Sequence, residues 1–143
     1  MNEMRNMETK KMEELYGQIA DLLNQMIPEE WSRILLYSEV REGMSQVYFY
    51  YYRTSQDKPI YSLDIVDIYN IDKQNFKNFD HKLYDCFERL WEEFKIQGQE
   101  PWTHLTFFLD STGKMKIDYS YEDVSEISPV EQQEKWEAKY LSL

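Results

Sequence analysis

WSRILLYSEVREGMSQVYFYYYR, residues 31–53, decides the fold class. In its first half Ser32, Ile34, Leu36, Ser38 and Val40 alternate with Trp31, Arg33, Leu35, Tyr37 and Glu39. That is the period of a strand, with apolar residues on both faces. The second half, Met44 to Arg53, is built around Val47-Tyr48-Phe49-Tyr50-Tyr51-Tyr52, and β-branched and aromatic side chains suit a pleated surface. Arg41-Glu42-Gly43 is short and contains glycine, so it joins the two strands as a hairpin. Tyr48, Tyr50 and Tyr52 share one face of it. That row lines a partner site or a self-association edge, unless a helix covers it, in which case it is core.

Outward from the hairpin the period changes. Met12, Leu15, Tyr16, Ile19, Leu22, Leu23 and Met26 recur at helical spacing, which predicts an amphipathic helix over Met7 to Met26, stopped by Pro28. Residues 1–6 carry little apolar content and are expected to be a frayed leader. After the hairpin, Thr54 to Pro59 reads as a turn and Ile60 to Leu63 as a short third strand. Asp64 to Ile71 fits a loop, a turn of helix or a strand extension. Asp72 can cap a second helix by accepting from the free amides that follow it. Phe76, Phe79, Leu83, Phe87, Leu90, Trp91 and Phe94 form its apolar stripe, and Gly98 ends it. Thr103 to Leu109 and Met115 to Tyr121 alternate about Ser111-Thr112-Gly113, a second hairpin. Ser128-Pro129-Val130-Glu131 has the sequence of a capping box with proline at the first helical position, opening a last helix through Tyr140. The expected fold is therefore α+β: a mainly antiparallel sheet of about five strands, with three helices packed against one face.

The 143 residues suffice for one domain, 1–143, with a core of its own. Asp and Glu number 27 against 16 Lys and Arg, a formal charge of −11. High charge can signal disorder, but 12 Tyr, 7 Phe and 4 Trp oppose it. Cys86 is the single cysteine, so no intrachain disulfide forms, as suits a reducing compartment. No stretch approaches the roughly 20 apolar residues of a membrane span. The acidic balance argues against direct nucleic-acid binding, which needs a concentrated basic surface, and favours a basic partner or simple solubility.

Catalytic signatures are lacking, and the expectation is a protein that is not an enzyme and holds no metal or cofactor. His81 and His104 have no second ligand at helical spacing, and the four glycines never cluster into a phosphate loop. The carboxylate clusters Asp64/Asp67, Glu92/Glu93 and Asp118 with Glu122/Asp123 read first as solvated faces. The last of them differs. From Asp118 to Leu143 there are seven acids and two bases, interleaved with Tyr119, Tyr121, Trp136 and Tyr140. Aromatics among charges are what a protein interface uses. Asp118, Tyr119, Tyr121, Glu122 and Asp123 are therefore the candidate partner-binding residues, with Asp64 and Asp67 as a second group. Strand alternation adds a condition. If Met115 and Ile117 face the core, Tyr119 and Tyr121 share their side while Asp118 points away. Trp102, after Pro101, is expected to close the end of the core, in a monomer or weak dimer.

Glu100-Pro101-Trp102-Thr103, Phe107, Gly113-Lys114, Asp118-Tyr119 and Tyr121-Glu122-Asp123 follow the helix bearing Tyr16 and Ile19-Ala20 and the hairpin bearing Tyr37 and Phe49-Tyr50. In this order and spacing, from about Met7 to Asp123, the chain resembles the YezG-like immunity family. The resemblance implies a small cytoplasmic antitoxin, encoded with a secreted LXG-type or nuclease toxin that it binds and neutralises in the producing cell. It implies no catalytic residues and no cofactor, and it transfers no contact residues. A basic nuclease cleft and an acidic blocker would attract one another. The alternative is an adaptor or chaperone-like module that escorts a secreted protein.

Overall fold

The hairpin of residues 31–53 forms the middle of the sheet. In the computed structural model, which describes the backbone of residues 2–142 and the side chains of residues 10–142, β1 (Trp31–Arg41) pairs antiparallel with β2 (Met44–Arg53), Leu36 opposite Phe49 and Tyr37 opposite Tyr48. Gly43 turns the chain between them with φ +77°, a conformation that a β-carbon disfavours. β3 (Pro59–Tyr61) pairs with β2, β4 (His104–Asp110) with the other side of β1, and β5 (Met115–Ser120) with β4. The order is β3-β2-β1-β4-β5, antiparallel throughout.

The helices are α1 (Asn2–Met26), α2 (Ile65–Tyr69), α3 (Lys73–Ile96) and α4 (Pro129–Tyr140). α1 and α3 lie on one face of the sheet, where Leu15, Ile19, Leu23, Leu83, Phe87 and Leu90 meet Ile34, Leu36, Phe49, Tyr51, Leu105 and Phe107. Each such large apolar side chain contributes about 1.5–3 kcal/mol on burial. α4 lies on the opposite face. Its Trp136, with Leu141 just beyond it, packs on Leu35, Tyr37, Tyr48, Tyr50 and Tyr52. The expectation of helices on one face alone is thus corrected: the sheet is sandwiched, and the tyrosine row is core beneath α4.

Local chemistry fixes the helix ends. Asp72 caps α3 by accepting from the Gln74 amide at 2.9 Å, and Ser128 caps α4 by accepting from the Glu131 amide at 3.2 Å. Asn70 closes α2 in the left-handed region, φ 51°. The ambiguous stretch after the third strand resolves as a short 3-10 turn, Ser62–Asp64, followed by α2, a fourth helix. The third strand is Pro59–Tyr61 and excludes Ser62 and Leu63, whose chain has already begun to turn. The first helix runs from Asn2, five residues ahead of the expected start. The expected leader over residues 1–6 falls on Met1 and on side chains outside the described residues. Among the described residues no helix is long and apolar enough to cross a membrane.

Candidate functional site

The acidic segment begins on β5 and continues into the link to α4. Asp118 stands opposite Thr106 on the α4 side of the sheet, 3.6 Å from Lys116 Nζ. Together with Glu122 it lines a cleft of about 540 Å³ between the sheet and α4, whose far wall carries Lys135, Trp136 and Lys139. Tyr121, Glu122 and Asp123 are exposed, Tyr121 by 49%. Their backbone is nevertheless pinned. Thr103 Oγ1 donates to the Glu122 carbonyl at 2.6 Å, and Asp123 Oδ1 accepts from the Ser125 amide at 2.9 Å. Those Ser125 hydrogen bonds hold the Asp123 carboxyl below its ordinary range. Val124 is buried behind it. Three polar side chains are thus offered to solvent from a fixed backbone, which lowers the ordering cost of binding.

Tyr119 goes the other way, as alternation requires. Its hydroxyl meets that of Tyr16 at 2.8 Å, and its ring lies 5.1 Å from Phe94 and 6.3 Å from Trp102 between centroids. Burial, then the bond to Tyr16, pushes its phenol well above the usual value. Its ring ties β5 to α1 and α3. Trp102 is fully buried, and its carbonyl accepts from Trp91 Nε1 at 3.0 Å. Asp64 and Asp67 are exposed on the 3-10 turn and α2, beyond β3. β3 and β5 are opposite edges of the sheet, roughly 19 Å apart at the usual strand spacing, so the two candidate groups do not form one patch. Beside Asp64 and Asp67 stand Leu63 and Ile68, 58% and 51% exposed.

Residues 12–143 match the family described as immunity protein YezG-like. The immunity protein YezG of Bacillus spizizenii (strain ATCC 23059 / NRRL B-14472 / W23) is 39% identical over 139 residues, 96% of this chain and 86% of that protein. YezG of Bacillus subtilis (strain 168) is 37% identical over 134 residues, 92% and 89% of the two chains. The chain belongs to the YezG-like immunity protein family. It is also similar to the type VII secretion system protein EsaG of Staphylococcus aureus (strain NCTC 8325 / PS 47), 33% identical over 114 residues, 80% of this chain and 70% of that one.

Two polar assemblies in this YezG-like chain escaped the reading of its sequence. Glu29 Oε2, in the link between α1 and β1, accepts from Tyr51 Oη at 2.6 Å, from Arg53 Nε at 3.0 Å and from Tyr69 Oη. Burial opposes its ionisation, but the two tyrosine hydroxyls and Arg53 outweigh it and hold the carboxyl below its ordinary value. On the α4 side, Tyr37 Oη donates to buried Glu39 at 2.7 Å, Trp136 Nε1 donates to Thr106 Oγ1 at 2.9 Å, and Tyr50 Oη donates to Glu137 at 2.5 Å. Burial depresses the His104 imidazole, which stacks on Tyr37 at 5.6 Å, although Glu39 and Glu122 pull it upward. Apart from Tyr37 and Glu39, neighbours on one face of β1, these pairings join residues far apart in the chain, and no local spacing announces them. Among the described residues no group of His, Cys, Asp and Glu is arranged to hold a metal ion. Cys86 is buried in α3, with its thiol pushed up by that burial.

Proposed function

We propose that this chain is the antitoxin of a secreted toxin, a nuclease with a basic cleft, which it binds and neutralises in the cytoplasm of the cell that makes both. The reading rests on one observation above the others: the immunity family matches residues 12–143, nearly the whole fold, including both layers of helix. The charge of −11 supports it physically. A nuclease must attract phosphate, and its positive cleft steers an acidic protein to the same surface. Tyr121, Glu122 and Asp123, with Asp118 beside them, are the proposed contact group. Asp64 and Asp67, set among exposed Leu63 and Ile68, are the second. Neutralisation of this kind asks for no catalytic centre in the antitoxin.

Purified toxin domain, from the gene beside this one, tests the reading: its nuclease activity should disappear when this protein is added. A second reading, an escort for a secreted protein, draws on the name of the staphylococcal relative, a type VII secretion system protein. An escort would bind the toxin and leave its activity intact.

A further inference from the structure

The two edges of the sheet are built differently. β3 has three residues, starts with Pro59 and turns at once into the 3-10 segment, which leaves little to pair with. β5 has six residues, no proline or glycine, and an unbroken register with β4. The Lys114 carbonyl accepts from the Asp110 amide, and the Ser120 carbonyl accepts from the Thr103 amide. Backbone groups of even-numbered residues on β5 therefore face β4, and those of Met115, Ile117 and Tyr119 point away from the sheet. Among the described residues those outward groups have no hydrogen-bond partner.

The side chains on this edge are complementary to themselves. Lys116 and Asp118 stand on the same face, two residues apart, with side chains 71% and 41% exposed. Let a second β5 lie antiparallel with the two-fold axis at Ile117. Lys116 of each copy then faces Asp118 of the other, Met115 faces Tyr119, and the N–H and C=O groups of all three outward residues pair. Sliding by two residues breaks this. The axis at Lys116 sets lysine against lysine, the axis at Asp118 sets aspartate against aspartate, and both lose backbone bonds. One register therefore satisfies charge and backbone together.

We infer that the β5 edge is a docking site for a second copy of this chain, joined through Met115 to Tyr119 into a continuous sheet across a two-fold axis. The inference does not rest on the proposed antitoxin role, and Asp118 is the one proposed contact residue that the two surfaces share. It leaves Tyr121, Glu122 and Asp123 outside the ladder, so the dimer would carry that acidic segment on both sides of the axis. Long-range repulsion between two chains of charge −11 is the opposing force, and physiological salt screens it over roughly 8 Å, while the facing pairs lie well inside that distance.

The test is sedimentation velocity of the full chain alone, across a concentration series at physiological salt. We expect a concentration-dependent dimer. Lys116→Glu alone, which turns both facing pairs into like charges, should weaken it about tenfold, and Asp118→Lys alone should do the same. The double variant, Lys116→Glu with Asp118→Lys, should restore it, and circular dichroism should show all three variants folded. Three outcomes overturn the inference: a monomer at every concentration, a dimer indifferent to the single reversals, or no rescue by the double one. A monomer whose 115–119 amides gain hydrogen-exchange protection only with toxin would also overturn it, and would give the edge to a toxin strand instead.

Discussion

Trp102 and Glu29 show how single residues hold this molecule together by different means. Trp102 is fully buried, with its ring beside that of Tyr119 at the end of the sheet. Trp102→Ala should cost about 3–5 kcal/mol, read from the urea midpoint. A variant that kept its midpoint but lost toxin binding would make the ring an interface anchor. Glu29 acts through charge. Its folded carboxyl titrates below the ordinary 4.5, so the stabilisation it supplies is complete above that value and drains away as pH falls through the lower folded one. His104, depressed below 6.5 by burial, adds a loss of the same sign that begins earlier on acidification. Stability should therefore be flat just above neutrality, decline toward pH 4, and decline again in alkali, where the unfolded chain releases the protons of Cys86 and Tyr119 more readily than the folded one. Glu29→Gln should be less stable at pH 7 and flatter at the acid end. A variant whose pH profile matched the wild type would remove Glu29 from this role.

At the scale of elements, α4 is the one whose role its own sequence conceals. Trp136 and Tyr140 are its main apolar anchors, set among Glu131, Glu134 and Glu137, and Val130 is 68% exposed. That thin stripe reads as a solvated or partner-facing helix, yet it seals five large side chains of β1 and β2. Trp136→Ala should destabilise by about 3–5 kcal/mol and raise binding of a hydrophobic dye, because the tyrosine row beneath would open to water. Unchanged dye binding and stability would mean that α4 is not needed to cover the sheet. Both hairpins and the long helix α3 were legible because period and turn chemistry agree at each. β1 even showed that both its faces are apolar. What covers each face was not legible, since burial leaves a mark on the strand but not the identity of the covering helix. α2 was obscured for a related reason: only Ile65 of its five residues is buried, too little for a period to show. At the candidate site, alternation on β5 separated Tyr119 from Asp118 before any geometry was known. It could not separate Asp64 and Asp67 from the C-terminal acids, because strand order is a property of long-range pairing.

For the molecule as a whole, charge governs encounter and surface chemistry governs residence. Reversing Asp118, Glu122 and Asp123 together to Lys shifts net charge by +6, from −11 to −5, all at one edge. Association with a basic toxin domain should slow, by about tenfold or more at low salt, and its salt dependence should flatten. A folded variant with unchanged rate and unchanged salt dependence would move the contact to the Asp64 to Asp67 edge. The proposal that this YezG-like chain silences a nuclease is met most directly by titrating the purified cognate toxin domain with this protein while following cleavage of DNA. Activity should fall in proportion to the protein added and be gone once the two chains are equimolar. Full nuclease activity in a stably formed complex would contradict it.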